Sequence, residues 1–468
     1  MKTLKRTVAA ILAVILLTAA AGCSKGSTGG KNGDNGGKVT ISVGNWEPET
    51  SPVREDVDKA WHKFMDENPD IIVEPDTYVY DAQTFIMKAA ANQLPTLYTT
   101  HFTEIDKIRN AGYSSDVTEA LRKHGFMETM NPDLLELVTD ENGRAFAIPY
   151  NAYAMGLYIY KPLFREAGLV NADGSIMVPD TYEQLAEYAQ IIKEKTGKAG
   201  YIFPTVNNCG GWHLLNIAWS FGTEFVEQQP NGKWKAAFDT PNFRKALQYV
   251  YDLKWKYNVL PDNTLIDISE SKKLFGTGQG AMLFSTPPGS EFPIQYGTKI
   301  DDLMLVRMPA GDHGRFAQIG GAVYMIAPNA SPEQIDACFI WLEKYQGLTP
   351  KITDNMPQQM SDSFRHAMEL GHIVLGREAF ELWVNPERMQ IMEDAAKPYI
   401  NVDLADYNDY FSFKDVTLKP EPPVAAQELY SVLDKAVQEV TTNKNADIDA
   451  ITKTILNDFQ INHLDKLD

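Results

Sequence analysis

The chain has 468 residues, of which 44% are hydrophobic and 22% are charged, a balance typical of a folded globular protein. A chain of this length exceeds what one hydrophobic core usually organises, so we expect two lobes. The formal net charge of −19 argues against nucleic acid as a partner, because nucleic acid attracts cationic surfaces, and it provides no attraction to anionic lipid.

The first residues have the features of a secretory signal. Lys2, Lys5 and Arg6 form a positive segment, and an uncharged, almost wholly apolar run follows from Val8 to Ala21. A membrane-spanning helix needs about 20 apolar residues, so this run is short for a span but suitable for a signal peptide. The chain is therefore expected to be exported.

The apolar run ends in Ala20-Ala21-Gly22-Cys23, which resembles the lipobox of bacterial lipoproteins. The commonest lipobox has Leu where this chain has Ala20. The resemblance implies a signal peptide at 1–22 and a diacylated Cys23 at the mature N-terminus, and two acyl chains anchor a protein stably to a bilayer. Residues 24–38 are rich in Gly, Ser, Lys and Asn and predict a flexible tether. The alternative is an ordinary secretory signal cleaved near Ala21.

Only Cys209 and Cys338 remain beyond Cys23. Two cysteines are too few for a disulfide framework and lack the spacing of metal ligands. We expect two free buried thiols, with a single bridge as the alternative.

The region after the tether alternates between strand and helix patterns. Strands are predicted at 39–43, 71–79 and 96–102, and helices from Ser51-Pro52 to Asn68-Pro69 and around 85–90. Further helices are predicted to begin at Asp180-Thr181 with Gln184, which allows two capping registers, at Thr240-Pro241, and at Ser331-Pro332 with Gln334. This alternation predicts an α/β fold with mostly parallel sheets wrapped by helices.

Six short segments together resemble a known family. They are QLPTLY at 93–98 (with Thr96 in place of a usual Asp), FAIPY at 146–150 followed by LYIYK at 157–161, VPDTYEQL at 178–185, LFGTGQGAM at 274–282, and Gly320-Gly321 before a strand. In this order and spacing they resemble family 1 of the extracellular solute-binding proteins, which includes the maltodextrin-binding and other sugar-binding proteins of ABC importers.

The resemblance implies the two-lobed, periplasmic-binding-protein (Venus-flytrap) fold, with a ligand held in the cleft between lobes that close about a hinge. It places the crossings between lobes near 151–156, 308–320 and 346–358. The first lobe is then 39–150 plus about 310–350, and the second is 151–309 plus about 351–468.

A sugar site needs aromatic faces and planar polar groups near the carboxyl ends of strands. The residues that meet this description are Trp46, Glu47, Thr100, His101, Tyr150, Asn151, Trp212, His213, Phe284, Ser285, Gly321 and Tyr324. Alternatives are a loop position covering its own lobe for Trp46, hinge packing for Tyr150 and Asn151, and exposure on a helix surface for His213. The other tryptophans lie in helix-like patterns and are expected in the cores.

The chain contains no GxSxG, HExxH or Walker A motif, its histidines are scattered, and Asn171–Ser175 is interpreted as an Asp-Gly turn and not a calcium loop. We therefore expect no enzyme activity, no cofactor and no metal. A secreted glycoside hydrolase is the enzyme alternative, and it would need two carboxylates about 5–10 Å apart.

We expect a monomeric binding protein whose partners are a small solute, an ABC permease, and a bilayer reached through acylated Cys23. A mono- or oligosaccharide is the favoured solute, because family 1 is mostly sugar-binding. Another small polar solute, or delivery to a sensor kinase, is the alternative.

Overall fold

The structure is a computed structural model that describes residues 37–51, 54–82, 84–378 and 380–467. The predicted signal peptide, Cys23 and most of the tether lie outside the described residues. Within the described residues, none of the helices combines the length and the apolar character needed to cross a membrane.

Twelve strands occur in the described part of the chain. They are β1 (Val39–Val43), β2 (Ile71–Pro75), β3 (Leu97–His101), β4 (Ile148–Ala154), β5 (Gly156–Tyr160), β6 (Val226–Gln228), β7 (Trp234–Ala236), β8 (Met282–Ser285), β9 (Leu303–Val306), β10 (Ala310–Gly311), β11 (Gly314–Ile326) and β12 (Thr417–Pro420). The second strand ends four residues before the predicted boundary, because Asp76 turns the chain by accepting the amide of Tyr78 through its carboxylate.

The described α-helices, in chain order, are α1 (Arg54–Glu67), α2 (Phe85–Ala90), α3 (Ile105–Asn110), α4 (Thr118–Lys123), α5 (Pro132–Glu136), α6 (Lys161–Ala167), α7 (Tyr182–Thr196), α8 (Cys209–Ser220), α9 (Pro241–Trp255), α10 (Ile268–Gly276), α11 (Glu291–Tyr296), α12 (Pro332–Lys344), α13 (Met356–Glu369), α14 (Pro386–Ala396), α15 (Asn408–Phe411), α16 (Ala426–Thr442) and α17 (Ile448–Asn462). Strands and helices alternate along the chain, so the predicted α/β fold class is confirmed.

A mixed sheet organises the first lobe. Its order is β10-β11-β3-β1-β2, with β1 parallel to both β2 and β3 and β11 antiparallel to β3. Strand β4 pairs antiparallel with β11, and β12 pairs parallel with the start of β11. One apolar cluster packs on this sheet and includes Ile41, Tyr98, Val323 and Trp341.

A separate sheet organises the second lobe, in the order β8-β5-β9. Both pairings are antiparallel, which differs from the mostly parallel sheet expected for this lobe; parallel contacts are isolated bridges, such as the bridge between Ile202 and Leu283. Two apolar clusters include side chains of this sheet, Leu157 and Phe284 in one and Tyr158 and Leu283 in the other. Alternate side chains of the same strands thus fill two cores.

The two lobes are joined by long strands that enter both cores. Strand β11 contributes Ala317 to a core of the second lobe and Val323 to the core of the first. The segment from β4 into β5 also enters both cores: Ile148 packs in the core of the first lobe and Leu157 in a core of the second. A hinge motion must therefore bend these strands or their ends.

Three of the predicted helix starts, at Thr181, Thr240 and Ser331, use hydroxyl caps. Ser331 Oγ accepts the amide of Gln334 at 3.2 Å, and the side chain of Gln334 accepts the amide of Ser331 at 3.0 Å, a complete capping box. Of the two registers open at 180–184, the structure uses Thr181, whose hydroxyl accepts the amide of Gln184. These bonds satisfy donors that a helix N-terminus leaves unpaired.

Ser331→Ala should lower the free energy of unfolding by about 1 kcal/mol, because the capping hydroxyl is lost. Urea denaturation of both proteins measures the difference. Ser363→Ala, at an exposed position inside α13, is the matched control and should be nearly neutral. Equal stability of the Ser331 variant and the parent would contradict the cap.

Candidate ligand-binding cleft

Strand β11 forms the floor of a cleft between the lobes. Because side chains alternate along a strand, Gln318, Gly320, Ala322 and Tyr324 share one face, which we call the front face. Gly320 lies opposite Tyr153 of the paired strand β4. Six residue steps of about 3.3 Å make this floor about 20 Å long.

The middle of the floor carries two of the predicted site residues. Ala322 pairs with Asn151 on one side and with His101 on the other, and both of these partners are exposed to solvent. Burial among protein atoms nevertheless lowers the pKa of His101. A side chain that is surrounded by protein and still reached by solvent lies in a concave recess.

The glycine pair allows the crossing strands to pack closely. A Cβ on Gly320 would lie 2.7 Å from the hydroxyl of Tyr153, and a Cβ on Gly321 would lie 2.2 Å from the carbonyl oxygen of Asn151 and 2.5 Å from the ring of Phe102. Neither position has room for a side chain. Gly321 points away from the front face, so its predicted contact with a ligand is corrected to a packing role.

An ion pair links the lobes at one end of the floor, which we call the inner end. Lys107 on α3 of the first lobe lies 2.9 Å from Glu428 on α16 of the second lobe and 3.6 Å from buried Glu104. Tyr80 donates its hydroxyl to Glu104. Burial disfavours the charged lysine, but the two carboxylates outweigh it and raise the pKa of Lys107.

Glu421 lies beside this ion pair, after strand β12. It accepts hydrogen bonds from Gln318 at 2.9 Å and from Tyr430 at 2.7 Å. Burial raises the pKa of Glu421 to about 7, although these bonds and one from Trp212 favour the carboxylate. Near neutral pH this group can therefore accept or donate a hydrogen bond to a ligand.

The first turn of α8 presents Trp212 to the inner end. The carboxylate of Asp434 accepts the amides of Asn208 and Gly211, each at 2.7 Å, and burial raises its pKa to about 6. A Cβ on Gly211 would lie 2.4 Å from the carbonyl oxygen of Tyr430, so α8 can approach α16 this closely only with glycine. The indole of Trp212 is half-buried, and its ring centroid lies 6.3 Å from that of Tyr153.

A cavity of about 240 Å³ lies at the other end of the floor, and we call it the outer recess. It brings together the predicted residues Tyr150 and Tyr324, whose ring centroids are 4.4 Å apart. The remaining lining residues are Gln346, Gly347, Leu348, Met360, Glu378, Glu381, Leu382, Trp383, Arg388, Met389 and Met392.

A larger cavity of about 420 Å³ also lies between the lobes. It is lined by Ile319 and Ala152, which face away from the front face, and also by Gly320 of the floor and Glu421 of the inner end. Trp219 and Trp234 contribute to its wall, together with Asp106, Glu136 and Lys419. Trp219 is nevertheless 2% exposed and packs in a core, as the sequence predicts.

The model of the bacterial extracellular solute-binding proteins matches residues 44–339, more than half of the chain. The chain belongs to this family. The matched region contains the first-lobe part of the cleft, Trp212, and Tyr150 and Tyr324 of the outer recess. It ends before the other lining residues of that recess and before Glu421, Glu428 and Tyr430.

Curated relatives of this solute-binding protein are distant. A putative binding protein of Brucella abortus (strain 2308) is 24% identical over 263 residues, which cover 54% of this chain. A putative binding protein of Brucella suis biovar 1 matches to the same extent. The chain spans 58% of the length of these relatives.

Solved structures resemble the chain over nearly its whole length. Maltose-bound MalE3 of T. maritima superposes with a TM-score of 0.63 at 20% identity and covers 90% of this chain and 99% of its own. A solute-binding protein of Agrobacterium radiobacter K84 in complex with ribitol superposes with a TM-score of 0.62 at 17% identity and covers 89% of this chain and 97% of its own. UgpB from Mycobacterium tuberculosis in complex with glycerophosphocholine superposes with a TM-score of 0.66 at 14% identity and covers 91% of this chain and 98% of its own. At these identities the likeness establishes the two-lobed fold.

In this solute-binding protein, Trp46 is a core residue instead of a cleft residue. Its side chain is 7% exposed, and its ring centroid lies 5.6 Å from that of Trp61 and 5.8 Å from that of Trp341. Thr100 is also buried, since it alternates with the exposed His101 and points to the opposite face of β3. Glu47 is half-buried, and its carbonyl oxygen accepts a hydrogen bond from Arg54.

Three predicted residues of the second lobe are also internal. His213, Phe284 and Ser285 are at most 3% exposed. The two ring nitrogens of His213 lie 2.7 Å from the carbonyl oxygen of Cys209 and 3.1 Å from that of Phe284, so the imidazole ties α8 to β8. Helical periodicity explains the difference, because consecutive residues on α8 point in different directions and only Trp212 turns to the cleft.

Sequence reasoning missed most of the inner end. Glu104 and Lys107 follow β3 closely, and Tyr153 lies two residues after Asn151 and therefore on the same face of β4, so strand ends and periodicity could have indicated them. Glu421 and Tyr430 come from the far C-terminal part of the chain, and only the pairing of β12 with β11 brings them to the floor.

Within the described residues, His, Cys, Asp and Glu side chains form no group that could hold a metal ion. Cys209 and Cys338 are both free, the first half-buried and the second fully buried. The cleft therefore offers aromatic rings, carboxylates, amides and a few cations for recognising a ligand.

The buried imidazole of His213 should make stability pH-dependent. Burial lowers its pKa from 6.5 to about 4, so between these values the unfolded chain binds more protons than the folded protein. This histidine should destabilise the fold by up to about 3 kcal/mol as the pH falls from about 6.5 to 4. The measurement is urea denaturation across this range for the parent and for His213→Gln. The variant should lose less stability on acidification; the same loss in both proteins would exclude His213 as the cause.

Proposed function

We propose that this protein is the extracellular solute-binding subunit of an ABC importer and that it captures a carbohydrate between its lobes. The observation that carries the proposal is the composition of the front face. Aromatic rings stand at both ends of the floor, carboxylates and cations lie beside them, and exposed Asn151 and His101 lie between. Carbohydrates are recognised by such mixtures, since rings cover C–H faces and planar polar groups bond hydroxyls.

Charges in the cleft favour a neutral solute over an anionic one. At the inner end Lys107 pairs with Glu104 and Glu428, and Glu421 lies close enough to Glu104 for the two carboxylates to interact. An anionic ligand would meet these carboxylates with little compensation, whereas hydroxyl groups can donate to them. Maltose and ribitol in two similar structures support a polyhydroxylated cargo, and glycerophosphocholine in a third keeps another polar solute as the alternative.

Closure of the lobes supplies the capture mechanism. A ligand shifts an open–closed equilibrium only by its differential affinity for the two forms. Trp212 and Glu421 belong to the second lobe and the crossing region, whereas His101 and Lys107 belong to the first, so a ligand touching all four favours the closed form. Binding and release change no covalent bond, and the proposed cycle needs no cofactor.

The predicted acylation of Cys23 would hold the protein at the outer face of the cell membrane. The tether at 24–38 would let the lobes reach a permease, which receives the solute from the closed form. Delivery to a sensor kinase uses the same cleft and is distinguished by which membrane partner binds the closed form.

A thermal-shift screen of the soluble body from Val39 onward tests the carbohydrate assignment. The panel contains mono- and oligosaccharides, polyols, amino acids, polyamines and glycerophosphodiesters. A ligand at about 100 times its dissociation constant should add about 2.7 kcal/mol of stability. We expect stabilisation by a sugar that is recovered unaltered. Stabilisation only by other solutes, or recovery of a cleaved glycan, would overturn the proposal.

Trp212→Ala should weaken binding of the sugar found in that screen by about 1–3 kcal/mol, because one aromatic face of the site is removed. Isothermal titration calorimetry measures the affinity. Trp255→Phe is the control: its indole donates to the carbonyl oxygen of Val440, away from the cleft, and affinity should be unchanged. Unchanged affinity in the Trp212 variant would remove this residue from the site.

A further inference from the structure

The outer recess combines charges of both signs with aromatic rings. Glu378, Glu381 and Arg388 share its wall with Tyr150, Tyr324 and Trp383. Its volume of about 240 Å³ is slightly below the usual range of ligand pockets, which begins near about 300 Å³. It can therefore hold one small ring or one end of a longer ligand.

Arg388 is a buried cation with weak partners. It is 9% exposed, its guanidinium lies 3.6 Å from the sulfur of Met356, and it stacks 5.1 Å from the ring centre of Trp383. In the described part of the chain Glu378 and Glu381 line the same cavity and act on the charge of Arg388 through space, without a salt bridge of 4 Å or less to it. A buried guanidinium has five N–H donors to satisfy, so donors remain for a ligand.

Glu378 provides a carboxylate in the same recess, opposite in charge to Arg388. Its side chain is exposed, yet the surrounding protein raises its pKa to about 7, with neighbouring Glu381 adding to the shift. Solvent access combined with desolvation is the property of a group lining a concave site. The recess therefore holds strong acceptors and strong donors that are separated by the cavity.

A ligand that fills this space must accept from Arg388 and donate to the glutamates. An anion can bind the guanidinium but is repelled by the carboxylates. A cation can bind the carboxylates but is repelled by the guanidinium. Hydroxyl groups both donate and accept. The rings of Tyr150 and Tyr324, which are tilted by 37° relative to one another, add an apolar surface suited to the C–H face of a sugar ring.

The inner end has unsatisfied polar groups of its own. One carboxylate oxygen of Glu428 is buried and, among the described residues, lacks a hydrogen-bond partner. Exposed Asn151 and His101 lie along the floor between Glu428 and the outer recess. A ligand that reaches both ends has to extend over most of the floor, which is about 20 Å long.

We propose that the outer recess is a sugar subsite and that the cargo is an oligosaccharide that spans the front face from the inner end to Arg388. This inference rests on the proposed function and narrows it from carbohydrates in general to chains of several rings. Arg388, Glu378 and Glu381 hold the hydroxyls of one terminal ring, Tyr324 carries its face, and Trp212 contacts the other end of the chain.

The test is calorimetric titration of the soluble body with oligosaccharide series of one to six rings: α-1,4-glucans, β-1,4-glucans, β-1,4-xylans and β-1,4-mannans. Affinity should rise with chain length and reach a plateau when both ends are occupied. Glu378→Gln and Tyr324→Ala should weaken the affinity for the longest sugars about tenfold or more. The affinity for the shortest sugar that binds the parent should be unchanged in both variants. Trp212→Ala should weaken the affinity for the longest sugars and for the shortest one.

Glu378→Gln is informative even if Tyr324→Ala fails to fold, because Glu378 is exposed and its replacement removes charge but little volume. Glu369→Gln, at an exposed position at the end of α13, is the matched control and should leave all affinities unchanged. If sugars bind with an affinity independent of length, or if both recess variants bind long sugars as the parent does, the subsite is excluded while the carbohydrate proposal stands. If none of the sugars binds, the subsite proposal and the carbohydrate proposal both fail.

Discussion

The architecture depends on the close pairing of β11 with β4 at Gly320 and Gly321. Any side chain at these positions would meet Tyr153 on one face or the backbone of Asn151 on the other. Only the missing Cβ atoms let the strands that join the lobes run side by side at this point. The floor of the cleft, the position of Tyr153 and the entry of β11 into both cores all follow from this contact.

Electrostatics then determine what the cleft can recognise. Several carboxylates are surrounded by protein without a matching cation, and burial raises the pKa of Glu421, Asp434 and Glu378 into the range of about 6 to 7. Such groups exchange easily between donor and acceptor states near neutral pH. They suit hydroxylated ligands, and they make the cleft unfavourable for anions despite the cations Lys107 and Arg388.

The ion pair between Lys107 and Glu428 connects recognition to motion. It joins the first lobe to the second, with Glu104 buried behind it. Separation of the lobes would break the pair between Lys107 and Glu428, whereas Glu104 would keep its contacts with Lys107 and Tyr80, which belong to the same lobe. A ligand that bonds these groups replaces part of this interaction, so the energy of closure and the energy of binding are shared by the same few side chains.

The sequence by itself determined the α/β class, the strand and helix starts such as Val39 and Ser331, and the family. It also predicted His101, Tyr150 and Asn151 at strand ends or in the crossing, and the structure places these three residues beside the floor. These features follow from local periodicity, capping and short motifs, which depend on neighbours in the chain. Only the tertiary structure decided that Trp46, His213 and Phe284 are internal, because burial depends on which elements pack over a residue. The same holds for Glu421, Tyr430 and Arg388: they lie more than 230 residues after the first crossing and reach the floor through packing and strand pairing alone.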